Sequence, residues 1–296
     1  MKLGIIQTRG AGDIIISLPI AKYFAICGMN LSFKRPIAKY FFNKGYDVYW
    51  IIDQNFYEAF KYAAPYVNFI PISVEESEIQ SNIRHPYWFE TPKKMLTDIN
   101  CDNLLCFPFE ETRHLHQIKL YSRLTDSCSI RAKELKLSHH TSFDSFKYAV
   151  AGVPFKEKWN LDIRRNLEKE MELFNKVILD PSIPYVLIND VSSMGRTSYA
   201  YEKTKLLSDL GIPNMLIIET KMITDNLFDW LTIIERCHCF IGLDSAFVNL
   251  IEQLQLKIKK FFIRRSPLHF TPVLREEWDY IPVNLAQDEG DYKLQF

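Results

Sequence analysis

Apolar residues fall along the chain in short runs separated by longer mixed stretches. Residues 3–7, Leu-Gly-Ile-Ile-Gln, form the first run and predict a short buried strand. Gly10-Ala11-Gly12-Asp13 then supplies a turn, and an apolar stretch of helical length follows. Residues 46–53 are rich in β-branched and aromatic side chains and predict a second strand. A helix is expected over 55–64, stopped by Pro65, then a strand over 67–72 and another over 103–107, ended by Pro108. Residues 116–124 and 143–149 read as helical. In the second half, helices are expected at 166–179, 202–210 (closed by Gly211), 225–236 (capped by Thr224) and 245–254. Strands are expected at 185–189, 215–219, 239–243 and 259–263, and a polar loop over 190–198. Strands that alternate with helices of this length imply parallel sheets. The run divides near Ala151-Gly152-Val153-Pro154. The expected architecture is therefore α/β, with two Rossmann-like domains, residues 1–152 and 153–296, whose parallel sheets face a cleft.

Two features interrupt that alternation. Residues 14–33 hold a single charge, Lys22, and approach the length of a membrane-spanning helix. Pro19, Lys22 and Asn30 break the run, and its place behind a strand and a glycine turn favours a buried helix. The hexapeptide Pro19-Ile20-Ala21-Lys22-Tyr23-Phe24 recurs as Pro36-Ile37-Ala38-Lys39-Tyr40-Phe41. Two copies make no solenoid. They read as a local tandem duplication, an insert that a surface position would tolerate.

Composition narrows the function classes. Lys and Arg total 36 and so do Asp and Glu, so there is no basic excess for general nucleic-acid binding. A chain of 296 residues can bury a core without disulfides or a structural metal. The six cysteines are irregularly spaced, as expected of reduced and mostly buried thiols in a cytoplasmic protein. Cys237-His238-Cys239 opens an apolar run and has no second ligand pair at zinc spacing, so it reads as the start of a strand.

Candidate chemistry lies where strands hand over to helices, because ligands in open parallel sheets bind beyond the carboxyl ends of strands. In the loop 8–13, Gly10 and Gly12 would let backbone amides approach a ligand. Asp13 would face that ligand or simply cap the helix. In Gly242-Leu243-Asp244-Ser245-Ala246, a strand delivers Asp244 and Ser245 to a helix N-terminus, which suits either a phosphate or simple capping. The loop 191–198, with Ser192, Ser193 and Arg196, suits a diphosphate or is an exposed polar loop.

Taken in order, these loops resemble the glycosyltransferase family that includes the lipopolysaccharide heptosyltransferases, family 9, with the GT-B fold. Residues 4–19, Gly-Ile-Ile-Gln-Thr-Arg-Gly-Ala-Gly-Asp-Ile-Ile-Ile-Ser-Leu-Pro, look like that family's opening strand and its Gly-Asp-x-x-x-x-x-Pro signature. Residues 241–246 look like its Asp-Ser/Thr-Gly loop, and residues 225–236 like the helix before it. The resemblance implies a transferase that moves a heptose-like or other hexose sugar. The donor would be a nucleotide sugar and the acceptor a glycan or glycolipid of lipopolysaccharide type, with inversion and without a metal or other cofactor. Asp13 would be the general base, and Arg196 would stabilise the leaving group. Gly10, Gly12, Ser192, Ser193, Gly242, Asp244, Ser245, Ala246 and Asn249 would hold the nucleotide sugar. A peripheral association with the inner membrane face goes with such an acceptor. The sequence departs from the family pattern at Ala246, where Gly is usual, and at Asn249, where His is usual, which bears on donor identity and activity. Two other readings compete: an inert nucleotide-sugar-binding protein of the same fold, and a GT-B sugar-nucleotide epimerase. Acceptor specificity would lie in 75–95 and 108–142, with Arg84-His85-Pro86-Tyr87-Trp88 as a sugar-stacking platform.

Overall fold

A computed structural model describes residues 1–8, 10–27, 45–73, 90–107, 142–192, 195–196, 203–212, 215–220, 224, 226–264, 272–275 and 277–282. The first apolar runs become β1 (Lys2–Ile6), β2 (Asp47–Asp53), β3 (Val67–Ile72) and β4 (Asn103–Cys106). All pair in parallel, in the order β3-β2-β1-β4. Between them run α1 (Ala11–Cys27), α2 (Gln54–Ala63) and α3 (Glu90–Asp98). After β4, α4 spans Phe143–Ala151, and a 3-10 turn spans Phe155–Trp159.

The second half begins with α5 (Leu167–Val177) and builds a sheet from β5 (Tyr185–Asn189), β8 (Leu216–Glu219), β9 (Cys239–Leu243), β10 (Lys259–Arg264) and β11 (Trp278–Pro282). These strands are also all parallel, in the order β11-β10-β9-β5-β8. Helices α6 (Lys203–Asp209), α7 (Leu231–Arg236) and α8 (Ala246–Gln253) connect them. The polar loop after β5 carries a minimal antiparallel pair, β6 (Val191–Ser192) with β7 (Gly195–Arg196). The chain is thus α/β with two separate parallel sheets, as expected. Such sheets need helices over both faces, which is why β1, β5 and β9 are almost wholly buried and show no polar alternation.

Helix α1 accounts for the long apolar run. Ile14, Ile15, Ile16, Leu18, Ile20, Ala21 and Phe24 are all buried, on every side of the helix. A helix apolar all round must be covered all round. Here the first sheet covers one side, while α4, the 3-10 turn and α8 of the second half cover the rest. Pro19 sits within this helix and has no N–H for the carbonyl of Ile15. The carboxamide of Gln253, a buried residue of α8, lies against the gap. In the orientation that satisfies both its ends, Nε2 donates to Ile15 O at 3.2 Å and its oxygen accepts from Ile16 N at 3.3 Å. The first hexapeptide copy lies in α1; the second, 36–41, is outside the described residues. The chain re-enters at Gly45, where a side chain would have to occupy the place of the Ala25 carbonyl, 1.6 Å away. Only glycine permits that approach of α1 to the start of β2.

One local expectation needs correction, and two elements are additional. Residues 225–236 do not form one helix capped by Thr224. Asn226 caps a 3-10 turn over Leu227–Trp230, which leads into α7. The Thr224 hydroxyl instead accepts from Asn226 N and donates to Asp229, while the Asn226 side chain accepts from Phe228 N and donates to the other oxygen of Asp229, so the two polar side chains together fix the first turn. Neither α3 nor β11 was expected, because α3 is mostly polar and β11 ends in Pro282. The helix expected at 116–124 and the platform at 84–88 lie outside the described residues.

Candidate functional site

Each sheet reverses its strand order once, between β1 and β4 in the first and between β5 and β9 in the second. Crevices for ligands open at the carboxyl ends of the strands at such reversals. The residues following β1 and those following β5 and β9 are therefore where a site belongs.

After β1, Gly10 has φ 77° and starts the helix by accepting from Ile14 N at 2.9 Å. The helix begins at Ala11, so Asp13 is its third residue and not its cap. Its side chain is spoken for elsewhere. Lys147 of α4 donates from Nζ to Asp13 Oδ1 at 2.6 Å and to Gln7 Oε1 at 2.8 Å. The Lys147 side chain is wholly buried, while that of Asp13 is 31% exposed. Burial pulls the Lys147 ammonium below its ordinary value, and the neighbouring Asp13 carboxylate opposes that shift. Among the described residues, Asp13 Oδ2 accepts no hydrogen bond. It lies over Gly10, where a Cβ would come within 2.6 Å of it. Gly10 thus serves twice, by its left-handed backbone and by the room it leaves for the carboxylate.

After β9, Ser245 has an extended backbone (φ −156°, ψ 174°) and stands at the N-cap position of α8 without making a side-chain cap bond. Simple capping by Ser245 is therefore not what the geometry shows. Its Oγ is buried without a hydrogen-bond partner among the described residues. Asn249, one turn on, donates Nδ2 to Ser245 O at 3.0 Å, while its Oδ1 is buried without a partner among the described residues. At the end of neighbouring β5, Asn189 pairs in register with Gly242. Asn189 donates Nδ2 to Thr220 Oγ1 at 2.7 Å, and its Oδ1 is likewise buried without a partner among the described residues. Buried polar atoms normally find partners, so the orphans of Ser245 and Asn249 at the start of α8, with that of Asn189 on the adjoining strand, leave hydrogen-bonding capacity unused among the described residues. Gly242 lies on β9 against Phe240 and Val248 and has no space for a side chain.

The two loops meet. A Cβ on Gly12 would lie 3.1 Å from Asn249 Nδ2 and 3.5 Å from both N and Cα of Ala246. The N-termini of α1 and α8 therefore confront each other across the join of the two sheets. Asp13 stands on one and Ser245, Ala246 and Asn249 on the other. The third loop is described in its backbone only: Ser192 and Arg196 fall in the β6–β7 pair, and Ser193 lies outside the described residues. Lys203 and Glu219 at the same end of the second sheet pair at 2.6 Å, with Asp190 at 3.4 Å from the same ammonium.

Lys147, Gln7 and Asn189 were not singled out from the sequence. Lys147 had a signal: it interrupts an otherwise apolar helical segment between Phe146 and Tyr148. Among the described residues, no group of three or more His, Cys, Asp or Glu could hold a metal ion, and no helix is long and apolar enough to cross a membrane.

No protein-family model matches the sequence, and no curated protein matches it. Solved structures do. E. coli ADP-heptose lipopolysaccharide heptosyltransferase II aligns over 95% of this chain and 90% of its own, with a TM-score of 0.54 and 13% identity. A family 9 glycosyltransferase from Veillonella parvula aligns over 99% of this chain and 92% of its own, with a TM-score of 0.54 and 12% identity. The fold is the one these glycosyltransferase structures share. The likeness is to whole chains, both sheets included, in agreement with the two-domain GT-B architecture expected from the opening and Asp244-Ser245 loops.

Proposed function

We propose that the chain is a glycosyltransferase of the family 9 kind. It would move a sugar from a nucleotide-activated donor to a glycan or glycolipid acceptor, with inversion and without a metal. The observation that carries this reading is the confrontation of Asp13 with the uncapped, orphan-rich N-terminus of α8. In the proposed reaction the donor diphosphate lies against the backbone amides at the start of α8, beside the Ser245 hydroxyl and the Asn249 amide. An acceptor hydroxyl gives its proton to Asp13 as its oxygen attacks the anomeric carbon from the opposite face. The bond from that carbon to the diphosphate oxygen breaks, and the electron pair leaves with the nucleotide. Its growing charge is met by the α8 amides and by Arg196 on the β7 loop. Residues 1–152 would serve the acceptor and residues 153–296 the donor. A cytoplasmic enzyme resting on the inner membrane face would suit a glycolipid acceptor.

The test is a thermal-shift panel of nucleotides and nucleotide sugars, ADP-heptose among them. Binding at a hundred times Kd adds about 2.7 kcal/mol to stability, a readily measured rise in Tm. If no nucleotide or nucleotide sugar raises Tm, the reading fails. With a binder in hand, Asp13→Ala separates a transferase from an inert binder: donor turnover should collapse while the Tm response persists.

A further inference from the structure

Lys147 is a fully buried ammonium that the proposed reaction does not use. Burying a charge is costly, and a methionine would fill the same volume without that cost. The lysine is compensated at one point: its Nζ joins Gln7, just past β1, to Asp13, inside α1. The groups acting on it come from three directions. Asp13 and Gln7 belong to the first strand–helix unit, Asp144 lies one turn earlier on α4, and Cys106 ends β4. Asp144 is in turn held by Lys158 and by the backbone N–H of Val273. Lys158, Asp144, Lys147 and Asp13 therefore form a chain of alternating charge. It runs from segment 272–275 to the junction of the two helices, and only its last member is open to solvent.

We propose that Lys147 is the positioning residue for Asp13. Its ammonium fixes Oδ1, so that Oδ2, lying over Gly10, is the oxygen presented to an acceptor hydroxyl. This rests on the reading of Asp13 as the base. Fixing one oxygen removes the rotation that would otherwise carry the carboxylate out of line with a bound hydroxyl, and such alignment is a large part of what an active site supplies.

The experiment uses the full chain with Lys147→Met and Lys147→Arg, assayed for turnover of the nucleotide sugar that gives the strongest thermal shift. A 15N NMR titration of the Lys147 ammonium in wild type and Asp13→Asn accompanies it. Lys147→Met should lower kcat by about 100-fold and leave the donor KM within about twofold, because the ammonium does not touch the donor site. Lys147→Arg should recover part of kcat. In Asp13→Asn the Lys147 ammonium should titrate at lower pH than in wild type, since its opposing charge is gone. An unchanged kcat in Lys147→Met, or an unmoved Lys147 titration in Asp13→Asn, overturns the proposal. A loss expressed in KM alone overturns it too. If Lys147→Met does not fold, the titration in the Asp13→Asn pair decides the contact. A shifted titration in a protein that turns over no nucleotide sugar keeps the Lys147–Asp13 pair and refutes the transferase reading instead.

Discussion

Asp144 offers the sharpest test of how the two halves are joined. Its side chain is fully buried, as is that of Lys158. The carboxylate accepts from Ser142 Oγ at 2.6 Å and Ser145 N at 2.8 Å through Oδ1. Through Oδ2 it accepts from Lys158 Nζ at 2.6 Å and Val273 N at 2.8 Å. Lys158 also donates to Val273 O, so the N–H and the C=O of one residue near the chain's end are both held by a buried ion pair that links α4 to the 3-10 turn. Asp144→Ala removes the anion and leaves the buried Lys158 ammonium with the Val273 carbonyl and the rings of Phe155 and Trp159 but no opposite charge bonded to it. Breaking a buried pair from one side costs about 3–5 kcal/mol. The double variant Asp144→Leu/Lys158→Met removes both charges and fills the volume. It leaves without their carboxylate partner the peptide groups of Val273, a residue 36% exposed and so within reach of water, and Ser142 Oγ and Ser145 N at the part-buried start of α4. It should recover most of the loss, giving a coupling energy of at least about 2 kcal/mol. Urea unfolding followed by tryptophan fluorescence reads the result directly, because Trp159 lies in the same 3-10 turn as Lys158. The single variant should lower the midpoint by about 1–2 M. A loss under about 1 kcal/mol for Asp144→Ala, or strict additivity in the double variant, would refute the view that charge burial holds this junction together.

Two further outcomes follow from the site and the thiols. Gly12→Ala should keep stability within about 1 kcal/mol, because position 12 is helical and alanine favours helix. Its methyl would crowd Asn249 Nδ2 at 3.1 Å and narrow the gap to Ala246, so donor-induced thermal shifts should shrink or vanish; a full shift would mean the ligand does not use that gap. Cys101 is only partly buried, yet burial pushes its thiol up to about 11. At pH 7.5 its iodoacetamide reaction should be far slower than that of an ordinary exposed thiol and should accelerate as pH rises toward that value, with peptide mass mapping as the readout. Rapid modification of Cys101 at neutral pH would contradict the burial that raises it.

The sequence by itself determined the alternation of elements and hence the parallel sheets. Runs such as 185–188 and 239–243 are apolar at every position, and a strand of that kind is stable only with both faces covered. It also located the two loops that the fold brings together, because Gly10, Gly12 and Asp244-Ser245 sit where strands end. What it could not hold was the meeting of distant groups. The Lys147–Asp13 contact spans 134 residues and the Asp144–Val273 contact 129. The apolar residues around Lys147 hint that it is buried, but nothing local names its partner, since a lysine in a helix is ordinarily a solvated residue. Nor could the sequence choose between Asp13 as cap and Asp13 as ligand-facing carboxylate, because both need only a short acid near a helix start. The tertiary structure excluded the cap by starting the helix two residues earlier, and it set a buried ammonium on Oδ1. The same holds for α1. Its apolar girth is plain in the sequence, but only packing against α8 makes the run a helix between two sheets and not a span of membrane.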